Sequence, residues 1–242
     1  MAVWVALLSA SACNLASGLS EFEVLPAGHT STSGGGSGGA AGAGGAGGSG
    51  TSSGTGGSGG AGVQSVDQPI AQPSGDVEES LATGAVVLDS ADLELGEEQD
   101  GWGAQLVGLR FDNLPIPRFA TIQSAHIDFV VDEAVAGPTS VVLHGQASDH
   151  AFPFMAIATD LSARTRTDGS VSWDDVPPWD QAGVTQASPD LSPLVQEIVD
   201  RQGWESDNAL VIIIEGTGRR TAVAYDSSPE SAPSLHVEYL LP

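Results

Sequence analysis

An all-β sandwich with one short helix is the fold class that this sequence predicts. Three observations predict it. Seven segments of four to ten residues either alternate apolar and polar positions or run apolar throughout. Clusters of Gly, Pro, Asn, Asp and Ser separate them. Only one stretch repeats its apolar residues at helical spacing.

In chain order, residues 1–12 form an apolar stretch ending in small residues, and Cys13 follows as the only cysteine. This reads as a lipoprotein-type signal peptide, with Cys13 as the lipidated first residue of the mature chain. Two acyl chains there would anchor stably where one would not. The position three before Cys13 is Ala10 rather than the usual Leu, and no Lys or Arg precedes it. Residues 13–75 are expected to be a flexible linker. Of the 32 glycines, 17 fall between Gly34 and Gly62, among Ser, Ala and Thr. Such composition stays a coil spanning about 45 Å. It serves equally as a leash or as slippage-prone repeat. Residues 76–242 remain for the sandwich, enough to bury one sizeable core.

The strands follow. Residues 85–88 are a short apolar run. Residues 105–111 set Leu106, Gly108 and Arg110 on one face and Val107, Leu109 and Phe111 on the other. Residues 122–131 direct Ala125, Ile127, Phe129 and Val131 inward, with His126 and Asp128 outward. Residues 139–146 direct Val141 and Leu143 inward, with His144 opposite. Residues 209–215 are continuously apolar up to Glu215, as a strand covered on both faces would be. Residues 221–225 and 235–241 complete the set. Leu191, Leu194, Val195, Ile198 and Val199 mark the helix. Ser192 before Pro193 is its expected N-cap, and Gly203 its expected stop.

Three blocks carry a resemblance. Residues 107–129 read as strand, Pro-containing turn and strand. Residues 190–200 (Asp-Leu-Ser-Pro-Leu-Val-Gln-Glu-Ile-Val-Asp), with Trp204 and 208–214 after them, read as a helix leading into an apolar strand. Residues 232–239 (Ala-Pro-Ser-Leu-His-Val-Glu-Tyr) read as a terminal strand. Together they resemble the extracellular jelly-roll domains of the DNRLRE type, over roughly residues 85–240. The resemblance implies a secreted or surface-attached, jelly-roll-like sandwich. Members accompany polysaccharide-degrading enzymes and surface proteins, and some look like carbohydrate-binding modules. The segment from Arg164 to Trp179 departs from the type.

Charge narrows the function. Asp and Glu number 31 against 7 Arg and no Lys, a net charge of −24. A nucleic-acid binder needs a basic face that this chain cannot easily supply, and the same holds for anionic lipid. A lone Cys excludes an internal disulfide framework. No serine-nucleophile elbow, zincin helix, phosphate loop or dinucleotide fingerprint occurs, so no enzyme is expected.

Candidate residues fall into four groups. Trp102, Trp179 and Tyr225 lie in or beside expected loops, where exposed rings stack on sugars. Trp204, after the amphipathic helix, reads instead as core, and Trp173 fits either role. Arg164, Arg166, Arg219 and Arg220 offer forked donors to carboxylates, either a uronic acid or the chain's own acids. Asp89, Asp92, Glu94, Glu97, Glu98 and Asp100 form an acidic stretch whose oxygens, Asp89, Asp92, Glu94 and Asp100 foremost, would hold a structural calcium, or else a solvated acidic edge. His126, Asp128 and His144 would form a metal trio if their strands made a hairpin. The expected protein is therefore a lipid-anchored, bacterial envelope binding module with a monomeric head. Its partner is a polysaccharide or an envelope protein, and it touches membrane only through the anchor.

Overall fold

The computed structural model describes residues 62–99 and 101–242. Residues 1–12, Cys13, the linker as far as 61, and Asp100 lie outside the described residues. The elements are β1 (Gln64–Pro69), β2 (Asp76–Ser80), β3 (Val86–Val87), β4 (Asp92–Glu94), β5 (Glu97–Glu98), β6 (Gly103–Phe111) and β7 (Thr121–Glu133). They continue with β8 (Ser140–Gln146), β9 (Arg166–Trp173), β10 (Thr185–Ala187), α1 (Ser192–Val199), β11 (Leu210–Thr217), β12 (Thr221–Val223) and β13 (Ser234–Leu240). One sheet runs β1-β13-β7-β12-β4, with β10 also on β7. The other runs β3-β2-β6-β11-β8-β9, with β5 also on β6. The fold is thus an all-β sandwich with one helix.

Alternation fills the space between the sheets. Val107, Leu109 and Phe111 of β6 meet Ala125, Ile127, Phe129 and Val131 of β7 there, with Val141 and Leu143 of β8 and Leu235 and Val237 of β13. All are nearly inaccessible, and each large side chain contributes about 1.5–3 kcal/mol by leaving water. Strand β11 shows why residues 209–215 read as doubly covered. Leu210, Ile212 and Ile214 face this core. Ala209, Val211 and Ile213 face a second cluster with Val77, Leu106, Ala151, Phe154 and Leu161. The chain between β8 and β9 therefore folds back over the outer face of the second sheet. Gly108 makes that approach feasible: a Cβ there would stand 2.7 Å from Val77 and 2.8 Å from both Leu161 and Phe154.

Helix α1 buries Leu194, Val195, Ile198 and Val199 in the main core, as its spacing predicts. Its ends differ from expectation. Leu191 occupies the N-cap, so Ser192 is already helical. Asp190 supplies the polar closure instead. Its Oδ1 accepts from the backbone N–H of Ser192 (3.1 Å) and of Ala125 (3.0 Å), and its Oδ2 accepts from the Ser192 hydroxyl (2.7 Å). Although burial works against its charge, these donors hold the Asp190 carboxyl below its usual value. The helix ends at Val199 with Asp200 as its C-cap, so Gly203 is not the stop. Trp204 is fully buried and donates from Nε1 to the Ile116 carbonyl at 2.9 Å.

The linker boundary also moves. Strand β1 lies within the expected linker, yet it pairs along its whole length with β13, from Gln64↔Tyr239 to Pro69↔Ser234. Ile70 beyond it is buried in the core, and its N–H donates to the Pro233 carbonyl at 3.0 Å. An edge strand held by backbone bonds needs few apolar side chains, and Val66 is the one in β1 that packs on the core.

Candidate functional site

Most of the nominated side chains are structural. Trp179 has no accessible surface and packs on Phe129 and Trp173, with centroids 6.0 and 6.4 Å away. Its flanking prolines do mark a loop, but the loop turns inward, and Val135 and Trp179 exchange backbone hydrogen bonds. It is no sugar platform. Tyr225 is half-buried against the main core.

The arginines find internal partners. All five N–H donors of Arg220, which is 1% exposed, are used. Nε reaches Pro177 O at 2.8 Å. One terminal nitrogen reaches Thr139 Oγ1 and Arg219 O, both at 2.7 Å. The other reaches Gly137 O at 2.9 Å and Val176 O at 2.6 Å. Arg164 binds Asp160, Gln146 and the carbonyls of Phe152 and Pro153, and lies 4.5 Å over the Phe154 ring. Arg166 grips Glu215 with two bonds, at 2.7 and 3.0 Å. That guanidinium, more than any other cause, holds the Glu215 carboxyl low. Arg219 pairs with Glu133 at 3.0 Å. Arg220 in particular has every donor spent inside the fold.

The histidine trio does not assemble. Strands β7 and β8 belong to different sheets rather than one hairpin. His144 instead lies 3.6 Å from Glu215 on the outside of the second sheet. Burial, then Arg166, pushes its imidazole below the ordinary value. His126 stacks on its cross-strand neighbour His236, centroids 4.9 Å apart, and His236 contacts Asp67 at 2.6 Å. Of the residues named for calcium, Asp100 lies outside the described residues. Asp89 is exposed, while Glu94 is buried against Glu78. Among the described residues, no three His, Cys, Asp or Glu side chains are arranged to hold a metal ion.

Trp102 is different. It lines an open cavity of about 500 Å³ together with Glu78, Ser90 and Glu98. The cavity lies where the chain passes from one sheet to the other. Strand β4 belongs to the first sheet and β5 pairs with β6 of the second, so the crossing falls at Leu95 and Gly96. Gly96 makes that corner with φ +111°, and a Cβ there would stand 2.5 Å from the Gly218 carbonyl. The pairing of β2 and β5 with β6 then places Glu78, Glu98 and Trp102 around one opening.

Behind the opening sits a carboxyl cluster. Glu78 Oε1 accepts from Gln105 Nε2 at 2.7 Å and from the Glu94 N–H at 3.0 Å. Gln105 Nε2 also donates to the Glu94 carbonyl at 2.9 Å. That fixes the amide's orientation and leaves Gln105 Oε1 buried without a donor. Glu94 Oε2 and the Trp102 indole N–H are likewise buried and unpartnered. The neighbours of Glu94 are the carboxyls of Glu78 and Glu98, which can only accept unless one is protonated. Burial above all, then Glu98, Glu78 and Asp92, pushes the Glu94 carboxyl up to about 10. Burial raises Glu78 too, while its own donors oppose the rise. The shared proton therefore resides on Glu94.

Sequence reading found Trp102, Glu94 and Glu98 but missed Glu78 and Gln105. Glu78 and Gln105 lie on β2 and β6, and only the pairing of those strands brings the two side chains together. No family model matches the chain, and no curated protein matches it.

Proposed function

We propose that the sandwich is a non-catalytic binding module for an extracellular or envelope polysaccharide, with Trp102 as its stacking platform. The observation that carries this reading is a half-buried indole lining an open cavity of about 500 Å³ beside the side chains of Glu78, Ser90 and Glu98. A sugar ring presents C–H groups to an aromatic face and hydroxyls to polar atoms around it. The resemblance of residues 85–240 to DNRLRE-type modules supports the same class. A hydrolase reading is disfavoured. The sequence carries no serine-nucleophile elbow, zincin helix, phosphate loop or dinucleotide fingerprint. Anchoring through lipidated Cys13 to a bacterial membrane completes the proposal. Among the described residues no helix is long and apolar enough to cross one.

Retention of the chain in native gels containing polysaccharide tests this. Retention lost in Trp102→Ala but kept in Arg166→Ala is the expected result. Retention by no polysaccharide in a broad panel would move the function to a protein partner. One observation favours that second reading. Phe152, Met155 and Ile157 are 73, 53 and 54% exposed beside a groove of about 350 Å³, and a clustered apolar patch suits a protein surface.

A further inference from the structure

The outward face of the first sheet carries a row of side chains that neither the core nor the Trp102 cavity uses. Asp67 of β1, His236 of β13 and His126 of β7 stand directly across from one another in register. The Asp67 carboxylate contacts His236 Nδ1 at 2.6 Å. An ionised carboxylate only accepts, so Nδ1 carries the hydrogen, and in the neutral ring Nε2 keeps its lone pair. A metal-ligating imidazole is held in the same way, by a carboxylate on its other nitrogen. The His126 and His236 rings lie 4.9 Å apart, centroid to centroid. Asp128, beside His126 on β7, is 3.6 Å from its Nε2, beyond hydrogen-bonding range. Asp67, Asp128 and Glu238 make this face negative, and β1, β7 and β13 contain no Arg.

An imidazole nitrogen lies about 2.0–2.1 Å from zinc, so a tetrahedral ion held by two of them stands the ring centres about 5 Å apart. The 4.9 Å separation matches that spacing. Among the described residues no group of three His, Cys, Asp or Glu side chains is arranged to hold an ion, so water fills the remaining positions. Both rings can meet that water, with side chains 34 and 24% exposed. Imidazole suits zinc, copper and nickel, whereas calcium and magnesium take oxygens. We infer that His126 and His236 chelate one late first-row divalent cation, zinc foremost, with Asp67 as the positioning residue behind His236. His236 thus takes the place that the sequence reading gave to His144. The ion bridges the neighbouring strands β7 and β13. The inference stands apart from the polysaccharide reading, because none of these residues lines the Trp102 cavity.

The test is calorimetric titration of the full chain at neutral pH with the chlorides of zinc, calcium and magnesium. The chain carries Cys13→Ser, so that its only thiol does not compete. One zinc should bind per chain and raise the melting temperature, and calcium and magnesium should do neither. His126→Asn and His236→Asn should each weaken zinc binding at least tenfold. Asp67→Asn should weaken it about tenfold with the metal-free melting temperature unchanged. His144→Asn should bind zinc as the parent does. Copper(II) on the parent should show two imidazole nitrogens by electron paramagnetic resonance, a readout that needs no variant to fold. No zinc binding, zinc binding unchanged in either His126→Asn or His236→Asn, calcium binding as tight as zinc, or a single nitrogen on copper would overturn the site. Unchanged binding in Asp67→Asn would overturn the positioning role.

Discussion

Arg220 and Glu94 are both ionisable residues with almost no exposure, yet their surroundings differ in kind. Every N–H of Arg220 meets an oxygen, four of them backbone carbonyls and one the Thr139 hydroxyl. Glu94 Oε2 meets only other acceptors. A buried charge with all its hydrogen bonds made acts as a rivet between loops. A buried charge left short of a donor must find a proton or a ligand. The first region is architecture, and the second is where function is to be sought.

Several variants would break or sharpen that contrast. The largest effect is expected at the rivet. Arg220→Met removes five donors and strands their buried acceptors, so stability should fall by at least about 3 kcal/mol. For a domain of this size that is roughly 6–12 °C of melting temperature. Arg220→Lys, with three donors, should recover only part of it. Trp179→Ala should cost about 3–5 kcal/mol by opening a cavity between Phe129 and Trp173, and should leave ligand retention unchanged where the protein remains folded. Loss of retention without loss of stability would return Trp179 to the binding surface.

The carboxyl cluster predicts a gain rather than a loss. Glu94→Gln should raise the melting temperature by about 2–4 °C at neutral pH, because an amide needs no proton to lie buried. Chemical denaturation read at pH 7 checks it. Trp102→Ala should change stability by less than about 1 kcal/mol, since the ring already stands half in solvent. The smallest effect belongs to Arg166→Ala. Its bond to Glu215 is partly exposed, and such pairs contribute about 0–1 kcal/mol.

The contrast also marks where sequence patterning is readable. The two-sided cover of β11 and the apolar stripe of α1 are visible because burial there is periodic. Strand β1 escapes that reading because its bonds are backbone bonds to β13, which leave no apolar trace. Trp179 misleads for a related reason. Flanking prolines report that the chain turns, not which way the turn faces. At the cavity, Trp102 and Glu94 are legible as an aromatic and an acid near glycines. Their partners Glu78 and Gln105 meet only through strand pairing across 27 positions. No local spacing encodes such a contact.

The measurement that bears most directly on this account is the melting temperature of the parent chain and of Glu94→Gln between pH 5 and 9. The folded Glu94 carboxyl, at about 10, lies above its ordinary 4.5. Its contribution is therefore complete below about 4.5 and is lost as pH rises towards 10. Asp76, raised by burial to about 6, adds to the fall in the lower part of the window. His144, depressed by burial, works in the opposite sense below its ordinary 6.5. The parent should thus lose stability steadily from pH 6.5 to 9, and Glu94→Gln should lose distinctly less. Parallel curves for the two proteins would mean that Glu94 carries no proton in the folded state, and would contradict a carboxyl cluster waiting for a donor.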